Sequence, residues 1–227
     1  MEKYNIAIDG PAGAGKSTIA RLVAGALGFV YVDTGAMYRA VTWKVLQEGL
    51  LPEQEAEVIA VAKHMNIKLI PRPEGQQVLV DGADVTKQIR ATSITDHVSQ
   101  IASIGEIRLL LVATQKQLAA SKGVVMDGRD IGTHVLPDAE IKVFLTASVS
   151  ERAGRRYKEM QDSDDLSMNL QQLEQDIARR DQMDQQREIS PLVRAHDAIL
   201  LDSTSMTIPE VVAYILTLCR EKVGGGT

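Results

Sequence analysis

The segment Gly10–Ser17 constrains this chain more than any other part of its sequence. It reads Gly-Pro-Ala-Gly-Ala-Gly-Lys-Ser, so a glycine-rich turn is followed at once by a lysine and a hydroxyl side chain. The segment before it, Asn5 to Asp9, is short and mostly apolar, as expected of a buried strand. After it, apolar residues recur at helical spacing as far as Leu27. The chain therefore opens with a strand, a glycine-rich turn and a helix.

This turn has the chemistry of a phosphate-binding loop. Glycines allow backbone N–H groups to point inward around phosphate oxygens, and the start of the following helix adds partial positive charge. Lys16 can reach the β- and γ-phosphates of a nucleoside triphosphate, and Ser17 can ligate Mg²⁺. A purely structural glycine turn is disfavoured, because the required strand and helix flank the motif. The predicted binding residues are Gly10, Pro11, Ala12, Gly13, Ala14, Gly15, Lys16, Ser17 and Thr18.

Strand signals alternate with helical patterns along the rest of the chain. They lie at Phe29–Val32, Val124–Met126, Ile141–Leu145 and Ala198–Leu201. This alternation predicts an α/β fold with a parallel five-stranded sheet flanked by helices, the core of a P-loop NTPase. Ligands of such sheets gather at the carboxyl ends of the strands, so the residues that follow the strands are expected to face one cleft.

One region interrupts the alternation. Two short strands at Ile67–Ile70 and Val78–Val80 are joined by prolines and a glycine, which is a hairpin signal, and a helix is predicted from Asp84 to about Ser103. We therefore expect a small α+β insertion over residues 62–98, and a discontinuous core formed by residues 1–61 and 99–227.

Composition narrows the class of protein. The chain has 227 residues and a net charge of −5, and its two Phe, one Trp and five Tyr are too few for the stacking surfaces of single-stranded nucleic-acid binders. A single cysteine, Cys219, and four dispersed histidines exclude disulfide and zinc scaffolds. No apolar run approaches the ~18 residues of a membrane span. These features predict a cytoplasmic monomer that binds neither nucleic acid nor a membrane.

Several charged residues have two possible interpretations from the sequence alone. Arg39, on the first turns of the helix after the second strand, can hold an acceptor phosphate or lie on the helix surface. Asp127, directly after an apolar strand, can orient Mg²⁺ through water or cap the turn. Arg180, Asp184 and Arg187 share one helical stripe, which a ladder of local ion pairs would also explain.

Longer motifs resemble those of a known family. IDGPAGAGKST, VDTGAMYR, MDGRDIG, ARRDQMDQQR and LLDST occur in the order and spacing of the bacterial cytidylate kinases, from about Asn5 to Glu221. The resemblance implies a nucleoside monophosphate kinase that uses ATP and Mg²⁺ to phosphorylate CMP or dCMP. It also implies that residues 62–98 bind the acceptor and that residues 155–167 form a short lid. The lid would be served by Arg152, Arg155 and Arg156, which are spaced as one basic helix face.

The resemblance also assigns individual contacts to the acceptor. These residues are Thr34, Tyr38, Arg39, Ser99, Arg108, Arg129, Asp130, Arg180, Asp184 and Arg187. Arg39, Arg129 and Arg187 are implied for the phosphate, with Lys16 as a further cation that stabilises charge during transfer. Arg180 and Asp184 are implied for the sugar.

Recognition of the base falls to three of these residues. The resemblance places Asp130 at the exocyclic amine of cytosine, and Ser99 and Arg108 at other base atoms. A carboxylate accepts from that amine, whereas uracil offers a carbonyl there, so UMP should be rejected. Without the resemblance, Ser99 and Arg108 would be interpreted as a polar helix face and a surface cation.

Two alternatives remain open at this point. Another kinase on the same core, acting on UMP, dTMP or shikimate, would keep the loop and change the acceptor site. A non-catalytic ATP-binding switch would use the arginines to contact a partner protein. A GTPase is excluded, because the chain has no [NT]KxD element to bind guanine.

Overall fold

A computed structural model describes residues 3–72, 75–162 and 168–224 of the chain. The strands are β1 (Asn5–Asp9), β2 (Val30–Asp33), β3 (Ile67–Arg72), β4 (Gly75–Val80), β5 (Ala83–Asp84), β6 (Val124–Gly128), β7 (Ile141–Thr146) and β8 (Ile199–Asp202). The helices are α1 (Lys16–Leu27), α2 (Thr34–Gln47), α3 (Glu55–His64), α4 (Thr92–Ile101), α5 (Gly105–Ala119), α6 (Val149–Asp162), α7 (Leu170–Gln185) and α8 (Ile208–Gly224).

Five strands form the main sheet in the order β2-β6-β1-β7-β8, and all of their pairings are parallel. The side chains of the central strand β1 alternate between the two faces, as strand geometry requires. Ile6 and Ile8 pack with α1 and α8 on one face, and Ala7 packs with residues of β6 and α5 on the other. The predicted parallel five-stranded sheet flanked by helices is confirmed.

The insertion contains a second sheet of three antiparallel strands, in the order β3-β4-β5. Its apolar residues pack against Ala36 and Ala40 of α2. The predicted hairpin is present, but the helix predicted from Asp84 is wrong over its first eight residues. Val85 donates to the carbonyl of Val78 in the neighbouring strand, a short 3-10 turn follows at Gln88–Arg90, and α4 begins only at Thr92.

The register of the main sheet determines which residues meet at its carboxyl edge. Asp9 at the end of β1 lies opposite Gly128 of β6, and Asp33 at the end of β2 lies opposite Asp127. The loop that follows β1 and the polar residues that follow β6 therefore lie side by side. Across the described ranges, no helix is long and apolar enough to cross a membrane.

Candidate active site

The phosphate loop takes its shape from backbone conformations that favour glycine. Gly10, Gly13 and Gly15 have φ angles of 150°, 74° and 83°. A Cβ atom on Gly10 would lie 1.9 Å from the carbonyl oxygen of Leu145, so this position has no room for any side chain. The Lys16 ammonium donates across the loop to the carbonyl oxygen of Pro11 at 2.7 Å, and burial lowers its pKa.

The outer edge of the loop is held by two side chains from neighbouring helices. Asp181 of α7 accepts from the Ala12 N–H at 3.1 Å, and Arg152 of α6 donates to the Ala12 carbonyl at 2.7 Å. Arg152 and Asp181 also pair with each other at 2.7 Å. Asp181 was not predicted as a site residue, although it lies within the ARRDQMDQQR motif next to Arg180.

The three arginines assigned to the lid do not form one basic face. Arg152 is buried beneath the phosphate loop, where Ala12 and Asp181 take up its guanidinium. Arg155 pairs with Glu151 and donates to the Ser203 carbonyl, whereas Arg156 pairs with Glu159 on the exposed side. The three side chains therefore differ in their partners and in how deeply they are buried. Of the predicted lid, residues 163–167 lie outside the described ranges.

Asp127 lies next to the loop at the end of β6, and both of its carboxylate oxygens accept hydrogen bonds from side chains. The Ser17 hydroxyl donates to one at 2.9 Å, and the Tyr31 hydroxyl donates to the other at 3.0 Å. Burial and the nearby charge of Asp33 raise the pKa of Asp127. Two oxygen-bearing side chains thus meet at the start of α1, where the sequence placed the magnesium ion.

A pocket beside the loop collects every residue that was predicted to contact the acceptor. Its lining includes Thr34, Tyr38, Arg39, Ser99, Arg108, Arg129, Asp130, Arg180, Asp184 and Arg187. These residues come from α2, α4, α5, the residues directly after β6, the C-terminal part of α7 and the residues directly after α7. The structure therefore brings together ten side chains that are far apart in the sequence.

Arg108 and Asp130 form a buried ion pair in this pocket. Their side chains are only 2% and 5% exposed, and Arg108 Nη2 lies 2.5 Å from Asp130 Oδ2. Arg108 also donates to the Ala102 carbonyl, and its guanidinium carbon lies 5.3 Å from the centre of the Tyr38 ring. Arg108 is therefore not the surface cation that the helix pattern alone would suggest.

Asp184 holds two further arginines of the pocket. Arg129 Nε donates to one carboxylate oxygen at 2.8 Å, and Arg187 pairs with the other. Burial alone would raise the pKa of Asp184, but these two cations lower it. The pair between Asp184 and Arg187, three residues apart, is one that the helical spacing suggests, whereas Arg129 reaches Asp184 from the segment after β6.

Arg39 and Arg180 differ from these paired arginines. Within the described part of the chain, neither lies within 4.0 Å of a carboxylate oxygen. Burial and the charges of Arg180 and Arg90 lower the pKa of Arg39 to about 9. Burial and the charge of Arg129 likewise lower the pKa of Arg180. Two largely buried cations without a carboxylate partner make this pocket a favourable place for an anion.

Asp9, to which the sequence assigned no role in the site, fixes the segment after β6. Asp9 accepts from the backbone N–H groups of Ile131 and Gly132, each at 2.7 Å. Burial raises the pKa of this carboxyl to about 6. Since Asp130 directly precedes these two residues, Asp9 holds the turn that carries it. The position of Asp9, between a buried strand and the first glycine of the loop, was the signal available in the sequence.

Comparison with known sequences identifies one family. A family model described as cytidylate kinase matches residues 6–221. The chain is 51% identical to the cytidylate kinase of Lysinibacillus sphaericus over 222 residues, which is 98% of this chain and 99% of the relative. It is 49% identical to the cytidylate kinase of Bacillus subtilis over 221 residues, which covers 97% of this chain and 98% of that one.

Solved structures share the fold at much lower identity. A gluconokinase from Sinorhizobium meliloti aligns with a TM-score of 0.50 and 16% identity, over 98% of this chain and 95% of that one. An uncharacterised protein from Eubacterium ventriosum aligns with a TM-score of 0.52 and 11% identity, over 96% and 98% of the two chains. At these identities the likeness extends to the fold alone.

Proposed function

The chain belongs to the cytidylate kinase family, and on that premise we propose that it transfers the γ-phosphoryl group of ATP to CMP or dCMP. The family consists of nucleoside monophosphate kinases, so the chain is an ATP-dependent phosphotransferase. The observation that carries the proposal is the pocket of ten side chains beside the phosphate loop, in which five arginines face two carboxylates.

The charges of the pocket residues suggest where the acceptor phosphate would bind. Arg39 and Arg180 have no carboxylate partner in the described structure, and a phosphate bound to Arg39 would bring negative charge close to both cations. We assign the acceptor phosphate to Arg39, Arg129 and Arg187, and the sugar to Arg180 and Asp184. The phosphate then arrives as an anionic nucleophile, and the transfer requires no general base.

The donor side supplies positioning and charge stabilisation. Transfer of a phosphoryl group depends mainly on aligned reactants, neutralised charge and excluded water. Lys16 would exchange its contact with the Pro11 carbonyl for a phosphate oxygen of ATP. Ser17 and Asp127 present a hydroxyl and a carboxylate at one point, which suits a hard cation that keeps most of its ligands from water and phosphate. Mg²⁺ held there would neutralise the charge of the ATP phosphates.

Selection of the base is assigned to Asp130. Its carboxylate is buried and fixed by Arg108, so the second oxygen can accept from the exocyclic amine of cytosine. A uracil carbonyl at that place would meet a carboxylate without a proton to donate, and this mismatch would exclude UMP. Ser99, which is also buried and lines the same pocket, is assigned a further contact to the base.

The rest of the molecule is assigned to closure around the two nucleotides. We propose that residues 62–98 act as the acceptor-binding insertion and residues 155–167 as a lid. The proposed working unit is a monomer, which carries the loop and all ten pocket residues.

The proposal is tested by steady-state turnover with MgATP and a panel of acceptors comprising CMP, dCMP, UMP, dTMP, AMP and shikimate. We expect rapid ADP formation with CMP and dCMP only. Equal rates with UMP would support the kinase activity but overturn the role of Asp130 in selecting the base. ADP formation that is independent of any acceptor, or absent altogether, would overturn the proposed kinase activity. It would favour the non-catalytic nucleotide-binding switch.

A further inference from the structure

The arginine assigned to the acceptor phosphate is held by the insertion. Arg39 lies on α2 in the core, yet its Nη1 donates to the Thr95 hydroxyl of α4 at 2.8 Å and to the Ile89 carbonyl at 3.4 Å. These are the hydrogen bonds of the Arg39 side chain within the described residues. Ile89 belongs to the segment that joins the antiparallel sheet to α4, and Thr95 lies in the first turn of α4.

The chemistry of Thr95 suits this contact. Its hydroxyl lies 3.3 Å from the carbonyl of Ala91, the residue just before α4, to which it donates its only proton. The oxygen is then free to accept from the guanidinium of Arg39. Serine could make the same pair of bonds, whereas valine has the shape of threonine and can make neither.

The contact leaves a useful part of the guanidinium free. A guanidinium has five N–H groups, and the two on Nη1 are taken by Thr95 and Ile89. The free edge, Nε and Nη2, is one that can bind two oxygens of a phosphate at once. The same segment also contacts the start of α2, because Arg90 pairs with Asp33 at 2.8 Å.

We propose that Thr95 is a positioning residue for the acceptor phosphate. It holds Nη1 of Arg39, and thereby presents the free edge of the guanidinium to the pocket that Arg39 lines. The inference rests on the proposed function, since it takes Arg39 as the phosphate ligand. Thr95 itself is not among the residues that line the pocket, so it acts through Arg39.

The test compares Thr95→Val with two matched variants. Thr95→Ser keeps the hydroxyl, and Thr92→Val makes the same substitution one turn earlier on α4, where the exposed side chain has no hydrogen bond within the described structure. Affinities for CMP and for cytidine are measured on each, because cytidine lacks the phosphate. We expect Thr95→Val to weaken CMP binding about 5- to 10-fold. Cytidine binding, and CMP binding by the other two variants, should stay within about twofold of wild type.

A double-mutant cycle separates positioning from a general loss of structure. Adding Thr95→Val to Arg39→Ala should weaken CMP binding no further, because the group that Thr95 positions is already gone. Unchanged CMP affinity in Thr95→Val, an equal loss for CMP and cytidine, or additive effects in the cycle would each overturn the inference. Tighter CMP binding would overturn it too, since Thr95 would then withhold Arg39 from the phosphate. If Thr95→Val does not fold, Thr95→Ala takes its place in the same cycle.

The design keeps this inference apart from the proposed function. Wild-type protein that fails to phosphorylate CMP overturns the function, whatever the variants do. Wild-type protein that turns over normally beside an unaffected Thr95→Val variant overturns only the role of Thr95.

Discussion

The phosphate loop and the acceptor pocket lie side by side but are held in place by different kinds of contact. The loop takes its shape mainly from left-handed glycines within one run of residues, and distant residues brace it, Leu145 against Gly10 and the Arg152–Asp181 pair against Ala12. The pocket is assembled by buried ion pairs between distant elements, such as Arg108 with Asp130 and Arg129 with Asp184. A short motif can therefore specify the donor side, whereas the acceptor side exists only once the chain has folded.

The strongest way to separate the two regions is to remove Arg39. We expect Arg39→Ala to lower kcat/KM for CMP by about 10²- to 10³-fold, because a largely buried charged contact to the phosphate is lost. The affinity for MgATP should stay at the wild-type value, since the loop is built without this residue. Steady-state kinetics check the loss of kcat/KM, and an equilibrium ATP-binding measurement checks the unchanged affinity for MgATP.

Arg220→Ala provides the control for that experiment. Arg220 is an exposed arginine on α8 that donates a hydrogen bond to Thr217. Its removal should leave both kcat/KM and ATP affinity unchanged. Unaltered CMP kinetics in Arg39→Ala, or an equal loss of ATP affinity, would remove the distinction between the two regions.

The acceptor pocket should depend on Asp184 for stability. Asp184→Asn leaves Arg129 and Arg187 buried without their carboxylate, and we expect the free energy of unfolding to fall by about 3 kcal/mol. Asp176→Asn breaks the more exposed pair with Arg179 and should cost no more than about 0.5 kcal/mol. Chemical denaturation at neutral pH measures both. Equal losses in the two variants would contradict the idea that buried pairs hold the pocket.

The same carboxylate gives a pH signature. The pKa of Asp184 is lowered in the folded state, so its stabilisation is fully present above the unfolded value of about 3.9 and is lost as the pH falls through the folded value. The wild-type free energy of unfolding should therefore fall more steeply with acidification below about pH 4 than that of Asp184→Asn. Parallel curves would show that Asp184 is not the titrating group.

A smaller effect is expected on base selection. Asp130→Asn introduces an amide that can donate to the uracil carbonyl, so the ratio of kcat/KM for CMP to that for UMP should fall about tenfold. The ratio is the informative quantity, because Arg108 also loses its carboxylate partner and total activity will fall for both substrates. Asp138→Asn, at an exposed position in the loop before β7, should leave the ratio unchanged. A constant ratio in Asp130→Asn would assign selection of the base to other residues.

The smallest effect tests the local character of the loop. Gly15 has a φ of 83° and open space around its Cβ position, so Gly15→Ala should lower the free energy of unfolding by only about 1 kcal/mol, through backbone strain. Gly25→Ala, inside α1 with similar open space and no positive φ, should instead raise it by up to about 1 kcal/mol. Effects of the same sign would show that conformation does not set the cost in the loop.

The sequence predicted the main sheet well because its signals are local. Each strand is a short apolar run followed by a turn or a helix, and the five runs pair as expected. It failed over Asp84–Ala91, where helix-compatible residues are drawn into the insertion by the pairing of Val85 with Val78. No local pattern reveals a bond to a strand seven residues earlier.

In the candidate site too, residues in a local motif were predicted from the sequence, whereas residues placed by tertiary packing were not. The loop motif identified Lys16 and Ser17 directly, whereas the burial of Arg108 was invisible on a helix whose neighbours were unknown. Arg152 has the spacing of a basic face, but its burial beneath Ala12 depends on how α6 meets the loop. Asp9 and Asp181 accept hydrogen bonds from backbone N–H groups. Such contacts follow no fixed residue spacing, so the sequence pattern does not reveal them.

The order of strands in the main sheet has a consequence for how the chain folds during synthesis. The central strand β1 is made first, but its partners β6 and β7 begin only at Val124 and Ile141. The strand that carries the phosphate loop therefore emerges from the ribosome long before anything can pair with it, while β3 and β4 can form their hairpin at once. Formation of the main sheet therefore costs the entropy of closing a long loop. This cost predicts slow refolding and an early intermediate that is structured in the insertion.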